Sequence, residues 1–202
     1  FRVVKGRNEA VQGDFYFERS RLDAHDHVLF TLSSGATIVF NDPRRFGRMD
    51  IIRADELAGN RALTSLGPEP LDRSFNATML ARALKGKKTT LKAALSDQRV
   101  VAGLGNIYVC EALHRARLSP KRRASTLAKA NGEPRPGAEA LAEAIQDVLN
   151  EAIANKHRYR GNDRFRVYDH EGERCPRRGC PGIIKRIVQA GRSTFFCPVC
   201  QR

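Results

Sequence analysis

The sequence predicts an α+β protein in three parts: a β-rich start, a helical middle and a metal-closed β-hairpin at the end. Three observations carry this. Apolar residues alternate every second position through much of the stretch before Leu66, and from there they recur every three or four positions as far as Ala154. The first spacing lines one face of a strand and the second stripes a helix. Finally, four cysteines fall in two pairs, Cys175 with Cys180 and Cys197 with Cys200, separated by sixteen residues.

The elements follow in order. His27-Val28-Leu29-Phe30-Thr31-Leu32 alternates, Ser33-Ser34-Gly35 turns, and Thr37-Ile38-Val39-Phe40 returns, which predicts a hairpin with one buried face. After the loop Asn41-Asp42-Pro43-Arg44-Arg45-Phe46-Gly47, residues 48–52 read as a further strand. Gly67-Pro68-Glu69-Pro70 breaks regular structure and reads as an interdomain linker. Helices are expected over 77–84, 90–97, 106–116 and 137–154, with residues 131–136 as a polar loop. This gives three domains, 1–66, 67–163 and 164–202. No internal repeat or extended low-complexity tract interrupts them.

The closing cysteines suit a zinc ion. Thiolates at these spacings can converge tetrahedrally on one Zn²⁺, and knuckles so short cannot bury enough apolar surface to hold a fold without the metal. Between them Ile183, Ile184, Ile187 and Val188 lead to a turn at Gln189-Ala190-Gly191, and Ser193-Thr194-Phe195-Phe196 leads back. The turn presents Arg192. The alternative is a disulfide pair in a secreted domain. It fits poorly with the absence of a signal peptide or transmembrane run and with an odd fifth cysteine, Cys110. Cys110 reads as a neutral core thiol.

Charge narrows the partner. The 202 residues carry 36 Lys and Arg against 22 Asp and Glu, a net charge of +14, so a polyanion is expected to bind. An acidic membrane surface is the competitor. The most amphipathic helix expected, 137–154, places Glu139, Glu143, Asp147 and Glu151 on its polar side, and acidic lipid would repel that face. Nucleic acid is therefore the favoured partner. Within the helical part, one helix ends near Asp97, a connection holding Gly103 and Gly105 follows, and Asn106 is expected to cap the next helix. A helix N-terminus beside glycines can bind phosphate, although the same glycines could serve packing alone. Lys92 and the cluster Lys85, Lys87 and Lys88 add positive charge there.

At this point the chain resembles the formamidopyrimidine-DNA glycosylase and endonuclease VIII family of base-excision repair enzymes. The resemblance runs nearly end to end. It rests on His25-Asp26-His27, Asp42-Pro43-Arg44-Arg45-Phe46-Gly47, Leu66-Gly67-Pro68-Glu69-Pro70-Leu71, Gly103-Leu104-Gly105-Asn106-Ile107-Tyr108, Phe165-Arg166-Val167-Tyr168 and the cysteine finger through Arg192-Ser193-Thr194-Phe195-Phe196-Cys197. The combination favours the formamidopyrimidine branch.

The resemblance implies a partial N-terminal antiparallel β-sandwich, a helix-two-turn-helix domain and a zinc-finger hairpin with one structural zinc. It further implies a bacterial, cytoplasmic, monomeric enzyme that binds double-stranded DNA, excises oxidised purines such as 8-oxoguanine and formamidopyrimidines, and cleaves the strand by β,δ-elimination. Lys92, Asn106 and Arg192 are implied phosphate contacts, and Arg192 is also implied in the elimination step. Arg44 and Phe46 are implied to enter the duplex when the damaged base leaves, the arginine meeting the orphaned cytosine and the ring wedging the stack. His25, Lys88 and Tyr168 match secondary DNA contacts. Glu111 resembles a carboxylate near the active centre, and a solvent-facing helix glutamate is the alternative.

Two departures qualify this. Family members begin with a proline whose α-amine is the nucleophile, followed by a catalytic glutamate, and they carry an early elimination lysine and a further void-filling residue. All of these are expected upstream of Phe1, so the 202 residues alone are expected to be inactive. The stretch 155–164 is also shorter than the family's lesion-capping loop. The alternative from another class is a non-catalytic zinc-finger protein that binds bent or damaged DNA.

Overall fold

The computed structural model describes residues 2–5, 8–10, 23–154 and 165–202. The short stretch 155–164 expected to replace the lesion-capping loop lies outside the described residues. The chain divides into two compact units, Phe1–Glu56 and Leu57–Arg202.

In the first unit four strands form one antiparallel sheet: β1 (Arg2–Lys5), β2 (Asn8–Ala10), β3 (Asp26–Thr31) and β4 (Thr37–Asn41), in the order β2-β1-β4-β3. The expected hairpin is β3–β4. Phe30 pairs with Ile38, and Gly35 at φ +79° closes the turn with its amide on the Leu32 carbonyl at 2.9 Å. The buried face expected of it is confined to Ala36 and Val39. Leu29 and Phe30 stay substantially exposed because a single layer among the described residues offers little to cover them. The strand expected at residues 48–52 does not form. Ile51 is fully exposed, and the backbone there pairs with no described neighbour strand. An apolar run becomes a strand only where another strand takes its amides.

The second unit is helical. It contains α1 (Arg61–Thr64), α2 (Ala77–Leu84), α3 (Leu91–Leu95), α4 (Asn106–Arg115) and α5 (Pro136–Ala154). Local side chains set their starts. Asn76 accepts the Thr78 and Met79 amides and Thr90 accepts that of Ala93, each filling an orphan donor of a first turn. Pro136 opens α5, where its missing N–H costs nothing. Leu80, Leu84, Leu95, Leu113, Leu141 and Ile145 are fully buried together and lock α2, α3, α4 and α5 into one core. The acidic face of α5 meets a cation: Arg115 donates to Glu151 at 2.7 and 2.8 Å and lies 3.7 Å from Asp147.

Residues 67–70 are irregular, as expected, but they are tied down rather than loose. The Gly67 amide donates to the Gln98 carbonyl at 2.8 Å, Ala102 donates to the Pro68 carbonyl at 3.1 Å, and the Gln146 side chain donates to that of Pro70 at 3.2 Å. This segment braces the α3–α4 connection. A Cβ on Gly67 would sit 2.6 Å from the Val100 carbonyl carbon, closer than any side chain tolerates. The last elements, β5 (Lys185–Gln189) and β6 (Arg192–Phe196), form a hairpin. Its two turn residues, Ala190 at φ +50° and Gly191 at +71°, adopt the left-handed conformation that suits a right-twisted two-residue turn.

Gly67→Ala should therefore destabilise the helical unit by about 1–3 kcal/mol, the usual cost of forcing extra atoms into close packing. Chemical denaturation measures this, and unchanged stability would mean the two backbones can separate freely.

Candidate nucleic-acid interface and metal centre

In the first unit, β4 ends at Asn41 and the loop 42–47 is closed by Asp42. Its carboxylate accepts the Gly47 amide at 2.6 Å and its carbonyl accepts the Arg45 amide at 3.3 Å. A side chain on Gly47 would run into the Phe40 ring, so only glycine lets the loop fold back so tightly. Arg45 takes φ +54° at the bend. Arg44 and Phe46 are left at the tip with the guanidinium carbon 4.7 Å from the ring centre, and Phe46 is 78% exposed. An exposed pairing of this kind is worth only about 0.5–1 kcal/mol, so either group can leave it for a better partner. His25 sits half-buried at the loop's base, its carbonyl accepting the Asp42 amide at 2.9 Å.

In the second unit, three of the expected phosphate contacts converge where α3, α4 and the hairpin turn meet. Two of them sit differently from expectation. Asn106 does not cap α4. Gly105 is the cap residue, and Asn106, first in the helix, sends its amide across to the Ser193 carbonyl at 3.0 Å. Glycine's extended conformation there frees the asparagine side chain to reach the hairpin. Lys92 is not a surface lysine. It is wholly buried, and its Nζ lies 3.3 Å from the Gln189 carbonyl. Burial holds its ammonium below the ordinary lysine value, and the charge of Arg192 adds to that effect. Arg192 and Lys88 are exposed.

Sequence reasoning missed Gln98, which braces the α3–α4 connection from within. Its side-chain oxygen accepts the Gly103 amide at 2.8 Å and its amide donates to the Leu104 carbonyl at 3.3 Å.

Glu111 is neither solvent-facing nor a free carboxylate. It is buried, and its two oxygens accept the amides of Arg166, Val167 and Tyr168 at 2.8, 2.9 and 2.9 Å. The carboxylate acts as a backbone anchor for the approach to the finger. Tyr168 is held by it and packs edge-on against Phe195, with ring centres 4.9 Å apart. Cys110 is buried beside them, and burial pushes its thiol up to about 11, consistent with an unreactive core residue.

The four finger cysteines bring their sulfurs within 4.8 Å of one another. Sulfurs about 2.3 Å from one tetrahedral Zn²⁺ lie about 3.8 Å apart. The Cys175–Cys200 and Cys180–Cys197 separations, 3.8 and 3.6 Å, match that geometry. Both far exceed a disulfide bond of about 2.05 Å. The all-thiolate donor set fits one structural zinc, which closes both knuckles at once. Burial raises the Cys175 thiol above its ordinary value. Zinc binds thiolates, so protons compete with the ion and acidification should favour metal loss. Around the metal centre, Arg177 donates to the His114 carbonyl at 2.7 Å and to that of Arg115 at 3.2 Å. The Gln201 amide donates to the Leu118 carbonyl at 2.9 Å. No short-range sequence pattern announces these contacts, because each spans more than sixty residues.

Cys197→Ser should unfold the hairpin. Structural zinc in finger peptides is worth roughly 10 to 16 kcal/mol, more than the remaining three ligands can be expected to recover. Metal analysis and circular dichroism report this, and a native-like mutant holding a full equivalent of zinc would contradict it.

Comparison with known proteins agrees with this architecture. Residues 66–161 match the formamidopyrimidine-DNA glycosylase H2TH domain, and residues 172–202 match the zinc finger found in FPG and IleRS. A formamidopyrimidine-DNA glycosylase of Bradyrhizobium sp. (strain ORS 278) is 57% identical over 214 residues, covering all of this chain and 73% of that protein. One from Rhodopseudomonas palustris (strain BisA53) is 56% identical with the same coverage. Among solved structures, MutM in complex with DNA containing carbocyclic 8-oxo-G superposes with a TM-score of 0.76 at 31% identity, covering 92% of this chain and 68% of that one. The MutM (Fpg) protein of Thermus thermophilus gives 0.73 at 38% identity, covering 94% and 72%. From the helix-two-turn-helix, the zinc finger and these likenesses, the chain belongs to the formamidopyrimidine-DNA glycosylase family.

Proposed function

We propose that this protein is a DNA glycosylase of base-excision repair with AP lyase activity, acting as a monomer in the bacterial cytoplasm on double-stranded DNA. Its substrates in this reading are oxidised purines, 8-oxoguanine and formamidopyrimidines, and it cleaves the strand by β,δ-elimination. The observation that supports it most is the junction at the hairpin turn, where Asn106, buried Lys92 and exposed Arg192 meet on three separate chain segments. Such a junction puts a helix N-terminus and cationic groups together, as phosphate binding requires. The net charge of +14 supplies the long-range attraction.

Each group has a role in this reading. Arg192 and Asn106 grip phosphates flanking the lesion, with Arg192 also serving in elimination. Lys92 contributes from beneath, steadying the Gln189 carbonyl and lending charge, rather than as a direct surface contact. Arg44 and Phe46 fill the gap left by an extruded base. They exchange their weak mutual contact for hydrogen bonds to the orphaned cytosine and for stacking on a base, the latter worth about 1–3 kcal/mol. His25, Lys88 and Tyr168 make secondary backbone contacts. The nucleophile in this reading is a terminal α-amine. An amine suits lyase chemistry because the imine it forms at C1′ withdraws electrons and acidifies the C2′ proton.

Arg192→Ala should weaken binding to damaged and intact duplex alike and reduce the salt slope by about one counterion. An altered lesion preference at unchanged slope would remove the phosphate role. Arg44→Ala should cost roughly 1–3 kcal/mol of discrimination for cytosine opposite the lesion. Unaltered opposite-base preference would remove the gap-filling role. Borohydride trapping tests the chemistry and separates it from simple DNA binding. A chain extended ahead of Phe1 to a terminal proline and glutamate should form a covalent adduct with damaged DNA, and the 202 residues alone should not. An adduct with the 202-residue chain would assign the nucleophile to an internal amine.

A further inference from the structure

His114 lies near the C-terminal end of α4, wholly buried at 1% exposure, with Nε2 3.3 Å from the Sγ of Cys175. Its Nδ1 is buried without a hydrogen-bond partner among the described residues. An unpaired buried nitrogen is costly, so the ring is not placed there to satisfy itself. Cys175 is the first ligand of the finger, and as a metal-bound thiolate it can only accept a hydrogen bond. The same backbone neighbourhood is gripped from the other side, because Arg177, two residues past Cys175, donates to the His114 and Arg115 carbonyls. Cys175 and Cys197 are buried. Cys180 and Cys200 are partly exposed and border a cavity of about 480 Å³ that is also lined by Arg117, Arg177, Arg178 and Arg202. The thiolate paired with His114 is therefore on the closed side of the centre.

We infer that His114 is an outer-sphere partner of the zinc centre: its Nε2–H donates to the Cys175 thiolate and holds that sulfur against loss from the metal. The bond fixes the sulfur's direction, spreads part of its negative charge into the ring and ties the knuckle to the helix that begins at Asn106. A phenyl ring would fill the same space and supply none of this. Partners of this class typically change metal affinity by about 10- to 100-fold when removed.

The test is zinc release from the full chain to a chromophoric chelator. His114→Phe should release zinc at least about tenfold faster, and His114→Gln, whose amide nitrogen can occupy the Nε2 position, should recover part of the difference. Thermal melting of the zinc-loaded proteins separates this from a general loss of fold. Release from a folded His114→Phe at the wild-type rate would overturn the assignment. If that variant fails to fold, nitrogen NMR of the wild-type, zinc-loaded protein decides. The proton should sit on Nε2, exchange slowly and show scalar coupling to cadmium in the cadmium-substituted finger. A ring protonated on Nδ1 alone would overturn it.

Discussion

The placement of the candidate binding groups in the second unit depends on the seating of the zinc finger along helix α4. The two contact each other at three levels. At the helix start, Asn106 donates to the Ser193 carbonyl beside the hairpin turn. At its middle, Glu111 takes three successive backbone amides from residues 166–168 while Cys110 packs in the cluster of Val167, Ile184 and Phe195. At its end, His114 meets Cys175, and Arg177 returns to the last carbonyls. A two-stranded hairpin is marginal by itself in water. Here it borrows rigidity from a helix that is itself locked into the leucine core.

This seating explains how two charged side chains, Glu111 and Lys92, come to be buried. A buried carboxylate is costly unless its lone pairs are filled, and Glu111 fills them with three amides, leaving neither group unpaired. Lys92 is satisfied less fully, with one carbonyl at 3.3 Å, and its depressed basicity reflects that. Both charges sit against the finger, so they act by fixing where Tyr168 and Arg192 stand. The exposed Arg192 and the half-buried Tyr168 are thereby held in place before any ligand arrives.

Much of this was legible in the sequence, for identifiable reasons. Helices α2 and α3 follow from the apolar spacing over 77–84 and 90–97, α5 from its apolar stripe over 137–154, and the metal centre from four cysteines at ligand spacing. Local chemistry determines each of these. The sequence did not reveal the features set by partners far along the chain. Asn106 reads as a cap until Gly105 takes that place and Ser193 claims its amide, and nothing near Lys92 in the sequence shows that its side chain is buried against the hairpin. Glu111, Gln98 and His114 carry no local signature at all. Residues 48–52 misled in the opposite direction, because their apolar content suggests a strand that no described neighbour accepts.

Metal binding, hairpin and α4 form one mechanical unit. Hydrogen exchange on the zinc-loaded and zinc-stripped protein tests it most directly, because protection reports local opening free energies. Stripping zinc should expose the amides of Arg166, Val167 and Tyr168 and of the hairpin strands, while α2 and the buried half of α5 keep their protection. Hairpin and 166–168 amides that remained fully protected without metal would contradict the account.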